Sequence, residues 1–190
     1  GKTFQNVINH RIVSESARQL AIFHRDLKSF TYSSLHIVIP DFHNTKSIFK
    51  RFKQVIFDSS TSLSKECYEE FNYILGKEKE LNLVSSLIEE KKIPLRICHN
   101  DPKLTNFIFD KQFNAISLID LDTVMPGTWL MDISDAVRTI CVSENEDALY
   151  KDKIYFRYDY FEIFLASYLK VNKRNMNHYE LNNIVNSLEL

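Results

Sequence analysis

The chain has 190 residues with 24 basic and 25 acidic side chains, and its net charge of −1 offers no general surface for a nucleic-acid backbone. Its 44% hydrophobic and 13% aromatic content suits one domain with a real core; no apolar run reaches the length of a membrane helix, and no basic-apolar signal segment is read at its start. Cys67, Cys98 and Cys141 are odd in number, widely spaced and without a C-x-x-C pair, which predicts buried reduced thiols and a cytoplasmic setting.

In chain order, residues 14–30 read as a helix with Ser14 as N-cap and Glu15 in the first turn. Val13, Ala17, Leu20, Ala21, His24 and Leu27 recur at helical spacing, which makes His24 a hydrogen-bonded core histidine rather than a ligand. Residues 32–39 are apolar and extended in character, and Pro40 ends them. Residues 45–57 gather Ile48, Phe49, Phe52, Val55 and Ile56 on one helical face, leaving Lys46, Lys50, Arg51 and Lys53 as a solvated face. Two more helices are predicted over 64–74 and 79–91, with Gly76 at a C-cap between them. Short strands follow over 95–98, 107–109 and 115–119, the last two as a hairpin. A helix over 132–142 opens on Asp132, which can cap it and also hold the preceding loop by hydrogen bonds. A long aromatic helix over 150–171 carries Tyr155, Tyr158, Phe161, Ile163, Phe164 and Tyr168 as core, and a last helix runs from 177 to 190. The fold class is mainly α, with helices around a small β-hairpin sheet that carries the functional residues.

That sheet frames the informative stretch, residues 97–106, answered by 115–127. His99, Asp101 and Asn106 stand at the H-x-D-x-x-x-x-N spacing of a kinase catalytic loop. Asp and Asn in one loop are by themselves turn chemistry. The second half adds an apolar strand with Asp120 at its end and a tight turn at Met125-Pro126-Gly127, which makes the arrangement a metal site. Phosphoryl transfer requires a carboxylate to take the hydroxyl proton and oxygen ligands for Mg²⁺ on the phosphates of ATP. Asp101 suits the first role. Asn106 and Asp120 offer hard oxygen ligands for the second. Asp122 rivals Asp120, or bonds substrate. Lys103 either neutralises the transferred phosphate or is a solvated loop lysine. His99 braces the loop through its ring nitrogens. Trp129 is either a packed residue after the turn or a platform for a sugar ring.

His99 through Asn106, Ile119 through Gly127 and Asp132 through Arg138 together resemble the aminoglycoside phosphotransferase and choline kinase superfamily. The wording from Ile119 to Gly127 is most similar to its N-acetylhexosamine 1-kinase branch. The resemblance implies a protein-kinase-like carboxy-terminal lobe, ATP as co-substrate, Mg²⁺, and a small-molecule hydroxyl as acceptor. The branch implies the anomeric hydroxyl of an N-acetylhexosamine; sister acceptors are choline, homoserine and aminoglycosides. It also favours Asp120 over Asp122 as metal ligand. A non-catalytic domain that retains the fold is the alternative, and the presence of Asp101, Asn106 and Asp120 together speaks against it. Only three glycines occur, Gly1, Gly76 and Gly127, so neither a Gly-rich phosphate cover nor its strand lysine is visible. In this superfamily a β-rich nucleotide lobe precedes the part seen here. Residues 1–190 are therefore expected to be the carboxy-terminal lobe alone, without useful kinase activity by themselves and with no nucleic-acid or membrane partner.

Overall fold

A computed structural model describes residues 1–58, 67–144 and 154–189. Helix α1 spans His10–Leu27 and starts earlier than its hydrophobic stripe suggests: the Asn9 side chain accepts from the Ile12 amide, so Asn9, not Ser14, is the N-cap. Ser14 lies within the first turns and returns its hydroxyl to the Arg11 carbonyl. The stripe itself forms as the periodicity requires, with Ile12, Val13, Ala17, Leu20, Ala21 and His24 fully buried. Burial of each large apolar side chain contributes about 1.5–3 kcal/mol, which an isolated helix of this composition needs.

Helices α2 (Thr45–Asp58), α3 (Tyr68–Gly76) and α4 (Glu78–Glu89) follow. Gly76 ends α3 as its last residue, with Lys77 as C-cap. Positions 64–66 of the helix expected over 64–74 lie outside the described residues. Residues 32–39 form no strand; a 3-10 turn occupies Tyr32–Ser34 and Ile37, Val38 and Ile39 stay exposed. An apolar run without a partner edge cannot satisfy its backbone as a strand.

Strand β1 (Arg96–Cys98) pairs antiparallel with β4 (Met125–Gly127), and β2 (Phe107–Phe109) with β3 (Ala115–Leu118). The segment Met125-Pro126-Gly127, expected as a tight turn, is thus a strand in register with β1, Cys98 opposite Met125 and Arg96 opposite Gly127. Two small sheets replace the single one expected, and a backbone bridge from Lys2 to Phe109 extends the second.

Helix α5 spans Trp129–Ile140, α6 Tyr158–Asn172 and α7 His178–Asn183. Thr128 caps α5, so Asp132 sits inside the helix and its carboxylate is free for other use. The aromatic helix begins at Tyr158; residues 150–153 of the longer helix expected are outside the described ones, and a bridge between Val142 and Phe156 precedes α6. The last helix is short and gives way to a 3-10 turn at Asn186–Glu189. Its first turn is fixed by reciprocal Asn177 and Glu180 bonds. The core lies where α1 meets α5 and α6, with Trp129, Tyr168, Phe164, Phe107 and Phe109 almost wholly buried. Cys67, Cys98 and Cys141 are free thiols; the latter two are buried and Cys67 is half-buried. Among the described residues no helix is long and apolar enough to cross a membrane.

Candidate active site

The loop from His99 to Asn106 leaves β1, turns through a 3-10 segment at Leu104–Asn106 and enters β2. Its backbone is held on nearly every side. Asp132, fully buried on α5, accepts the His99 amide on Oδ2 at 2.7 Å and the Asn100 amide on Oδ1 at 2.8 Å. Thr123 donates its hydroxyl to the His99 carbonyl at 2.8 Å, and His43 Nε2 lies 2.8 Å from the Asn100 carbonyl. The Leu104 amide reaches Thr139 Oγ1 at 3.0 Å. Asn100 has φ of 65°, the left-handed region that Asn tolerates better than most residues. Its Nδ2 spans to the carbonyls of Thr123 (2.9 Å), Met125 (3.2 Å) and Cys98 (3.3 Å). Gly127 makes room for it: a Cβ there would lie 2.8 Å from Asn100 Oδ1 and 3.1 Å from Cys98 Cβ.

Three of the residues singled out from sequence meet on this loop. Lys103 Nζ is 2.8 Å from Asp101 Oδ2. Asn106 Nδ2 donates to the Asp101 carbonyl at 2.8 Å and to Asp101 Oδ2 at 3.3 Å. His99 bonds within the loop and just past β3: its Nδ1 accepts the Asp101 amide at 3.3 Å, so Nε2 is the nitrogen that donates to the Ile119 carbonyl at 2.9 Å. The second half of the motif is tied to the first by the backbone, since the Ile119 amide donates to the Asn106 carbonyl at 2.9 Å. Asp120 follows with φ 65° and ψ 59°, a sharp left-handed bend that ends β3. Asp120 and Asp122 are both exposed on this bend.

Asp132 supports the loop but does not cap its helix. Burial alone would raise its carboxyl; the His24 hydrogen bond, the His24 charge and the two loop amides outweigh burial and hold it below the usual carboxylate range. One turn on, burial raises Asp135 against the lowering effect of Arg138, and the charge of Asp101 raises it further. Trp129 is packed: it stacks on His24 with centroids 4.9 Å apart, and Arg96 covers it at 3.9 Å. Sequence reasoning missed Asn100, Thr123, His43 and Thr139, whose side chains set the loop. Asn100 carried a signal, an Asn beside a functional Asp where a turn must be tight. The others had none, because they come from distant parts of the chain. A cavity of about 270 Å³ adjoins the loop, lined by Ile37, Phe42, His43, Asn100, Met125 and Met131 among others.

The phosphotransferase enzyme family, APH, matches residues 5–160. The chain belongs to this family. Among solved structures, the APH chain is similar to a choline kinase from Cryptosporidium parvum Iowa II (TM-score 0.56, 14% identity), covering 100% of this chain and 58% of that one. It is also similar to an ethanolamine kinase from Plasmodium vivax (TM-score 0.56, 16% identity), covering 99% of this chain and 52% of that one. The APH chain therefore shares their kinase-like fold and spans little more than half the length of either.

The donors of this APH site suit a hard divalent cation such as Mg²⁺. Among the described residues the Asp120 carboxylate has no hydrogen-bond or ion-pair partner. Asn106 spends its Nδ2 on Asp101, which leaves Oδ1 as an amide oxygen without a hydrogen bond. An unpaired carboxylate and a free amide oxygen are the ligand types Mg²⁺ takes.

Proposed function

We propose that this APH chain carries the acceptor and metal side of an ATP-dependent phosphotransferase acting on a small-molecule hydroxyl. The observation that carries the reading is the meeting of Asp101, Lys103 and Asn106 on one loop whose backbone is fixed from four directions. Phosphoryl transfer depends almost wholly on positioning and charge stabilisation, and a loop of this kind supplies positioning. Asp101 orients the acceptor hydroxyl and takes its proton. Lys103, on Asp101 in this structure, swings to the transferred phosphate. Asn106 Oδ1 and the Asp120 carboxylate would hold Mg²⁺, which when bound would supply charge neutralisation to the phosphates of ATP. Asp122 is the alternative metal ligand or a substrate contact. His99 and Asp132 keep the loop in shape.

The wording of Ile119 to Gly127 points the acceptor reading to the anomeric hydroxyl of an N-acetylhexosamine, and the names of the two similar structures add choline and ethanolamine as competitors. A panel of these acceptors with homoserine and an aminoglycoside decides among them. The setting proposed is the cytoplasm, where the three thiols stay reduced. Residues 1–190 alone are read as the carboxy-terminal lobe, without useful turnover; calorimetry with Mg-ATP measures that directly.

The test of the chemistry is Asp101→Asn in the parent protein. Loss of a general base lowers turnover by about 10²–10⁴-fold, with nucleotide affinity unchanged. Wild-type turnover in this variant would remove Asp101 from the mechanism.

A further inference from the structure

Tyr168, His24 and Asp132 form a continuous polar chain through the apolar core, each at 0% exposure. Asn172, one turn on from Tyr168 in α6, is buried beside it and donates its amide to the Ala21 carbonyl at 2.8 Å. The Tyr168 hydroxyl lies 2.7 Å from His24 Nδ1, and His24 Nε2 lies 2.7 Å from Asp132 Oδ2. Asp132 then receives the amides of His99 and Asn100. The chain joins α6, α1 and α5 to the catalytic loop. A buried polar network is costly unless every member is satisfied, and nothing in the chemistry assigned above uses Tyr168 or His24.

The direction of every proton follows from the partners. Asp132 accepts backbone N–H groups on both oxygens, so it acts as a carboxylate and His24 Nε2 must carry the hydrogen. Burial disfavours the charged ring, so with the hydrogen on Nε2 the neutral ring presents Nδ1 as an acceptor and the Tyr168 hydroxyl donates to it. Reversal at any one link would place two donors or two acceptors face to face.

We propose that Tyr168 and His24 are positioning residues for Asp101. Tyr168 fixes the Nε2–H tautomer of His24. His24 fixes the orientation of Asp132. Asp132 holds the left-handed Asn100, and Asp101 projects from the next position. The statement about loop geometry stands independently of the function proposed above; only its kinetic consequence rests on that reading.

Nitrogen-15 NMR of the histidine ring and amide hydrogen exchange on the purified protein test this. Wild-type His24 is expected to show a protonated Nε2 and an unprotonated Nδ1. Tyr168→Phe keeps the buried ring and removes only the hydroxyl. It is expected to admit the second tautomer and to speed exchange of the His99 and Asn100 amides by about five- to ten-fold, the equilibrium worth of one hydrogen bond, while amides in the middle of α1 hold their rates. In the parent protein, turnover of the same variant then falls with the acceptor KM unchanged. A general loss of stability would speed all these amides together and would overturn the proposal, as would unaltered exchange at His99 and Asn100 in a folded Tyr168→Phe. Should that variant fail to fold, the wild-type ring decides alone: a protonated Nδ1 breaks the chain at His24 and overturns the proposal. Faster loop exchange with unaltered turnover would support the positioning and count instead against Asp101 as base.

Discussion

Gly127 shows how much one missing methyl can matter. The Asn100 side chain occupies the space a Cβ would take, 2.8 Å from its built position. Gly127→Ala is expected to cost about 1–3 kcal/mol through overpacking and to lower the unfolding temperature. An unchanged melting temperature would mean that Asn100 moves aside freely and does not hold β4. His24 gives a prediction of a different kind. Burial lowers its imidazole below the ordinary value of 6.5, against the raising effect of Asp132. In the unfolded chain the ring titrates near the ordinary value, so its contribution to stability is complete above 6.5 and is lost as the pH falls from there through the folded value. The His24 ring signals should hold still as the pH passes 6.5 while the denaturant midpoint begins to fall. A His24 ring that titrates at its ordinary value would contradict its burial.

At the scale of elements, the ends were harder to read than the middles. The stripe of α1 is visible in sequence because Val13, Ala17, Leu20, Ala21, His24 and Leu27 repeat at the helical period, and all but the half-buried Leu27 are buried. Its start is not visible in that stripe, since a cap belongs to the backbone rather than to the apolar face. Asn9→Ala should therefore cost about 1 kcal/mol, whereas Ser14→Ala should cost little; the reverse order in urea denaturation would restore Ser14 as the cap. Strand β4 was misread for a related reason. Pro126 and Gly127 carry strong turn signals, but β1 supplies a short partner edge that no local pattern announces. The hairpin of β2 and β3 was legible because its apolar residues and its turn are contiguous. The site followed the same division. Asp101, Lys103 and Asn106 lie within one loop and their meeting could be read from spacing. His43, Thr123 and Thr139 reach that loop across up to 57 positions of sequence, a relation that only the folded chain creates.

On the scale of the whole molecule, the helices act as a frame that brings distant side chains to one loop. Trp129 illustrates the frame: His24 of α1 stacks on its ring, while Arg96 of β1 covers it and bonds Glu180 of α7 at 3.0 Å. The buried aromatic residues of α6 close the same core from the other side.

The anchoring of the loop has a genetic consequence. Its shape is a target spread over many codons, so a loss-of-function screen restricted to soluble protein should return hits far from the reacting atoms. Thr123 and Thr139 are the clearest cases. Thr123 gives its hydroxyl to the His99 carbonyl, and Thr139 takes the Leu104 amide. Replacement by Val preserves the outline and deletes one hydroxyl, leaving a loop group without its partner at a cost of about 1–3 kcal/mol where it stays buried. Each Val variant of the parent protein should accumulate as folded protein and still score as defective. Full activity from both would show that the loop tolerates drift, and the mutational target would shrink to the residues that meet substrate and metal.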